Sequence, residues 1–161
     1  MRAILLPPLL AALLAAGCCG YSTRSLLRAD LRNVAVLPVE NSTSQPGVGD
    51  EFTDLLAAAF SRDRTLKVTA LDAADIAMTV RLTGYTRSPA AYAGDETITL
   101  YDLAVSAMVE AEDRARSEEH YAGSLSARVS YDPDSEAEES AATRCLTLLA
   151  DDVVRAVITK W

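Results

Sequence analysis

Histidine and lysine are nearly absent. His120 is the one histidine, and Lys67 and Lys160 are the two lysines, among 161 residues. With one imidazole, no Cys/His spacing suits a metal ion, and no cofactor is expected. Nucleophilic catalysis needs a base beside a Ser or Cys, and no such constellation stands out. Gly47-Val48-Gly49 does not directly follow a strand, so a phosphate loop is not expected. The formal charge is −8. Nucleic acid requires grouped Lys and Arg, so this acidic chain is a poor partner for it. His120 itself falls on the polar side of a strand, where an ordinary solvated residue is expected. The absences together point to a protein that is not an enzyme.

Cysteine is also scarce. There are three, and two of them, Cys18 and Cys19, are adjacent. Vicinal cysteines rarely bond each other, because the ring is strained. Two ligands are too few for a structural zinc site. Cys145 lies inside a helical pattern and is expected to be a small core residue. Upstream of the pair, Met1-Arg2-Ala3 leads into an apolar run from Ile4 to Ala16. A positive start, a short apolar stretch and small residues before a cut describe an export signal. The stretch is too short for an ordinary transmembrane helix. Pro7 and Pro8 disfavour the alternative of a buried core helix. No later window is apolar enough to span a bilayer.

Ala15-Ala16-Gly17-Cys18 resembles the lipobox of bacterial lipoproteins, with Ala15 where Leu is usual. That resemblance implies a signal peptide over residues 1–17 and acyl chains on Cys18. Cys19 is the alternative, but it would place a cysteine at the small-residue position before the cut. The residue after Cys18 is not Asp, which by the sorting rule of enteric bacteria favours the outer membrane. Each buried CH₂ contributes roughly 0.8 kcal/mol, so several acyl chains anchor firmly.

Residues 18–32 read as a tether. Its Arg24, Arg28 and Arg32 are either solvated or in contact with anionic headgroups. Residues 33–161 read as one domain. NVAVLPV (33–39) is a short buried strand that Pro38 ends or places near an edge. Val48, Phe52, Leu55, Leu56, Ala59 and Phe60 form one helical stripe, and residues 66–69 suggest a short strand. From Ile76 to Thr83 the pattern alternates, closed by Tyr85 to Pro89, with Ala90 to Glu96 as a loop. Strands over 97–112 and 120–131 form a hairpin. An acidic turn then leads into a helix with a stripe from Ala142 to Val157, and Trp161 ends the chain. The expected fold is α+β, a two-layer sandwich. It has a mostly antiparallel sheet of about four strands, with two helices packed on one face.

The order of several short segments carries a further resemblance. They are Cys19-Gly20-Tyr21, Val34-Ala35-Val36-Leu37-Pro38-Val39-Glu40-Asn41-Ser42-Thr43, Pro46-Gly47, Phe60-Ser61-Arg62-Asp63, Ala74-Asp75-Ile76, a Tyr92 loop, Tyr101-Asp102-Leu103 and the terminal Trp161. This resembles the lipopolysaccharide-assembly outer-membrane lipoprotein family, LptE. In that family the anchoring cysteine usually stands directly before Gly-Tyr, a position that Cys19 holds here. The resemblance implies a lipid-anchored protein at the periplasmic face of the outer membrane. Its partners would be lipopolysaccharide and the large β-barrel that delivers it to the outer leaflet, which the protein plugs and supports. It also implies a sheet with two helices on one side. The VAVLPVENST stretch resembles other periplasmic lipoproteins too, namely curli-secretion lipoproteins and activators of cell-wall synthases, which form the alternative.

A plug in a polar lumen needs a hydrogen-bonding surface, and Thr79, Arg81, Thr83 and Arg128 on the polar sheet face fit. Lipid A phosphates would want Arg or Lys. The candidates are Arg62, Arg64 and Lys67 after the first helix, or Arg81 and Arg128 on the sheet.

Overall fold

The computed structural model describes residues 30–94 and 97–159. The export segment, Cys18, Cys19, Arg24, Arg28 and Trp161 lie outside them.

Strand β1 is Asn33–Val36. Pairing continues to Leu37, whose N–H donates to the Met78 carbonyl at 3.0 Å. Pro38 has no N–H to give. The Val39 N–H turns instead to Thr53 Oγ1 at 3.0 Å, and pairing resumes as β2, Glu40–Asn41. The strand expected over residues 33–39 is therefore shorter, and a second short strand stands just beyond the expected span. Asp75 clamps its entry, with Oδ2 accepting from the N–H groups of Arg32 and Asn33 at 2.9 Å each. Those two N–H groups hold the Asp75 carboxyl below its ordinary value.

Helix α1 spans Val48–Asp63, with Asp50 and Glu51 in the first turn and Arg62 in the last. These signs suit the helix dipole. Gly47 enters the helix with φ +80, open to glycine at little cost. Gly49 is required by closeness: a Cβ there would lie 3.1 Å from both Asn41 Cβ and the Val39 carbonyl. Arg64, with φ 65, closes the helix by donating to the Phe60 carbonyl.

After α1 come β3 (Lys67–Val68), a 3₁₀ turn (Leu71–Ala73), β4 (Ile76–Tyr92), β5 (Ile98–Asp113), β6 (Glu118–Tyr131) and α2 (Glu138–Thr159). The sheet order is β3-β1-β4-β5-β6, with β2 also on β4. Two expectations are corrected here. The sheet has six strands, not about four. It is also mixed: β1 runs parallel to β3 and β4, and β2 parallel to β4, while β4, β5 and β6 are antiparallel. Helix α1 is the crossover that returns the chain to the starting end of the sheet, which parallel neighbours require.

A third correction concerns β4, which runs on to Tyr92 where a loop was expected. Leu82 faces Ala107 and Gly84 faces Ser106, so Thr83 is an extra residue. Such a bulge reverses the alternation. Before it, even-numbered residues point to the helices; after it, Tyr85 and Arg87 do. Strand β6 ends opposite Tyr101 and β2 ends opposite Leu82. From Gly84 onward β4 therefore pairs only with β5, and beyond Pro89 the two project past β6 as a ribbon.

The core lies between the covered sheet face and both helices. Ile76, Met78, Val80, Leu82, Leu103 and Val105 meet Phe52, Leu56 and Phe60 of α1 and Leu146, Leu149 and Val153 of α2, all fully buried. Each such side chain contributes about 1.5–3 kcal/mol on burial. Cys145 is in this core as expected, and burial pushes its thiol up. The helices pack on one sheet face, as the alternation predicts.

Candidate functional site

Among the described residues no α-helix lies over the other sheet face, and small polar side chains dominate it. Ser106 of β5 stands directly opposite Ser126 of β6, and Met108 opposite Ser124. Thr79, Arg81 and Thr83 of β4 and Arg128 of β6 are exposed there, as the sequence indicated. The two arginines do not converge, because β5 separates them and they sit at different registers. Each has a carboxylate of its own: Arg81 Nε lies 2.9 Å from Glu40, and Arg128 lies 3.8 Å from Asp102. The Ser130 hydroxyl also donates to Asp102, at 2.6 Å. Exposed ion pairs contribute only about 0–1 kcal/mol, so these arginines can exchange partners at small cost. Around Ser106, Arg81 and Arg128 the face offers donors and acceptors with little unbalanced charge.

The three cations after the first helix are divided. Arg62 is turned toward α2 and pairs with Asp151 at 2.8 Å. Arg64 and Lys67 stay together at a groove of about 440 Å³ floored by Phe60, Leu66 and Val68. Among the described residues neither has an acidic partner within ion-pair distance. An apolar floor beside two uncompensated cations suits an anionic amphiphile.

A cluster at the base of the ribbon has no counterpart in the sequence pattern. The Arg87 guanidinium lies 3.7 Å from the centre of the Tyr101 ring, and Tyr101 stacks on Tyr131 with ring centres 5.8 Å apart. Arg87 also pairs with Glu138 at 3.2 Å, and the Tyr85 hydroxyl donates to the same carboxylate at 3.1 Å. Glu138 opens α2, where the helix dipole favours its charge. Burial, reinforced by Glu138, pushes the Tyr85 hydroxyl well above the ordinary tyrosine range. The cluster braces the projecting ribbon against α2. The bulge at Thr83 hid it, because strict alternation assigns Tyr85 and Arg87 to the wrong face.

His120 is a correction of the same kind. Ala111 pairs with Tyr121 but Glu112 with Glu119, so His120 is the extra residue of a second bulge. It is half-buried, not solvated, and its Nε2 lies 2.9 Å from the Val157 carbonyl. A carbonyl only accepts, so Nε2–H donates. His120 thus satisfies a carbonyl in the last turns of α2, where unpaired carbonyls need donors.

Comparison with known proteins adds the following. The family model of lipopolysaccharide-assembly proteins, LptE, matches residues 31–157. No curated protein sequence matches the chain. Among solved structures, the PelC dodecamer from Paraburkholderia phytofirmans is similar at 14% identity and TM-score 0.58, over 86% of this chain and 96% of that one. A hypothetical protein from Chlamydia trachomatis is similar at 14% identity and TM-score 0.58, over 81% and 99%. A lipoprotein from Neisseria meningitidis is similar at 14% identity and TM-score 0.50, over 77% and 99%. Likenesses this distant show a shared fold.

Proposed function

The chain belongs to the LptE family of lipopolysaccharide-assembly proteins, and on that premise we propose that it is an outer-membrane lipoprotein that plugs and supports a β-barrel delivering lipopolysaccharide to the outer leaflet. It acts by binding and without catalysis. Its anchor is a lipid on Cys18, with Cys19 the alternative, after removal of residues 1–17, and residues 18–32 tether a single domain at the periplasmic face. The supporting observation is the uncovered sheet face. Its serines and threonines and its locally compensated arginines suit the polar wall of a barrel lumen, which greasy surface would not. Lipopolysaccharide phosphate is assigned to Arg64 and Lys67, which among the described residues have no acid within ion-pair distance, in preference to Arg62, Arg81 and Arg128.

The test is recovery of a tagged chain from outer membranes in mild detergent. A large β-barrel at a one-to-one ratio is the expected companion. A cell-wall synthase, or a ring of the chain itself, would overturn the reading. Cys18→Ala is expected to release the chain from the membrane fraction and Cys19→Ala to retain it.

A further inference from the structure

At the end of the uncovered sheet face where β4 begins, the 3₁₀ turn overhangs a groove of about 450 Å³. Its floor is apolar: Leu37, Ala77 and Ala122, under Leu71, which is 42% exposed. Its rim carries Glu110, Glu112 and Glu119. Glu112 and Glu119 are direct partners across β5 and β6, and like charges directly opposite one another are destabilising. Among the described residues, Glu110 and Glu112 have no basic partner. The nearby Arg114 donates instead to the carbonyls of Leu71 and Ala74, which fastens the overhanging turn. The groove therefore presents an apolar floor with surplus negative charge, and a cation-bearing apolar strand would relieve it.

The chain enters the described structure next to it. Asp30 is the first described residue, and its carboxylate lies 3.7 Å from Arg116 in the β5–β6 turn. Ser117 of that turn lines the groove. Immediately upstream the sequence reads STRSLLRA over residues 22–29, two arginines flanking two leucines. Eight extended residues reach about 27 Å. The groove crosses β4, β5 and β6, roughly 10 Å at ordinary strand spacing.

We propose that the N-terminal segment from Arg24 to Arg28 binds in this groove. Leu26 and Leu27 meet Leu71 and Ala77, and the arginines meet Glu110 and Glu112. The occupant is the same chain, chosen by its charge, its apolar pair and its point of entry. Binding there seats the N-terminal segment on the uncovered face and fixes the direction from which the chain arrives at the sheet. The inference stands independently of the barrel and of any lipid.

The test places a photoreactive benzoyl-phenylalanine at Leu71 in the full chain in membranes, followed by irradiation and peptide mapping. The expected product has monomer mass and joins position 71 to residues 22–29. Glu110→Lys with Glu112→Lys is expected to cut its yield about fivefold, as does Arg24→Glu with Arg28→Glu, which leaves the sheet untouched. Combining all four reversals restores the yield. Lys67→Glu, on β3 across the sheet, leaves it unchanged. An adduct to a second copy or to another protein, or the absence of any adduct to residues 22–29, overturns the proposal.

Discussion

The same three strands, β4, β5 and β6, present two faces that obey different rules. On the covered face Ile76, Val80, Leu103 and Val105 are fully buried against two helices. On the uncovered face Ser106 meets Ser126, and the arginines carry their own acids. The first face decides that the chain folds. The second contributes little to folding and is free to be shaped by whatever it touches. A substitution should therefore reveal its face by what it damages, stability on one side and association on the other.

The two faces are not so divided if a covered residue can be removed at little loss of stability. Phe52 of α1 is fully buried, and Phe52→Ala is expected to cost about 4 kcal/mol in lost burial and cavity. For a domain of this size that lowers the melting temperature by about 15 °C. Thermal unfolding followed by circular dichroism checks it, and a loss near zero would mean the helices do not hold the sheet.

A middle-sized effect is expected at Asp75, which belongs to neither face and fastens the chain as it enters β1. Asp75→Ala leaves two backbone N–H groups without their charged acceptor, and because water reaches them the cost is about 1 kcal/mol. The sign with pH follows from the direction of its shift. The carboxyl is held below its ordinary value, so its contribution is present above the unfolded pKa of about 3.9 and is lost as pH falls through the lower folded value. The wild type should lose more stability than Asp75→Ala on acidification, measured as urea midpoints at stepped pH. Parallel profiles would sink the assignment.

What the sequence made legible tracks pattern length. The long amphipathic helices and the alternating strands of the hairpin were plain, because period and burial agree over many residues. Strands of two to four residues carry no period, so β2 and the parallel pairings were hidden, although the short strand expected over residues 66–69 is present as β3. Bulges hid the rest. The bulge at Thr83 reverses every later assignment in β4, which is why Arg87 was missed, and the bulge at His120 displaces that residue alone, which is why it was read as solvated. Of the candidate cations, sequence supplied all five, but only coordinates separate Arg64 and Lys67 from the arginines that acids already hold.

The smallest effect on stability should come from the uncovered face. Ser126 is exposed on the edge strand β6 and stands opposite Ser106. Ser126→Ala removes a solvated hydroxyl and is expected to change stability by no more than about 0.5 kcal/mol. Ser126→Trp should also leave folding nearly intact, because the added ring points away from the core. It does raise a wall from a surface of short side chains, and anything packed flat against them is displaced. The expected result is a Trp variant that melts like the wild type yet recovers much less of the co-purifying barrel, with the Ala variant unaffected. If both recover it equally, the barrel does not meet this face, and the compensated arginines there are ordinary solvated pairs.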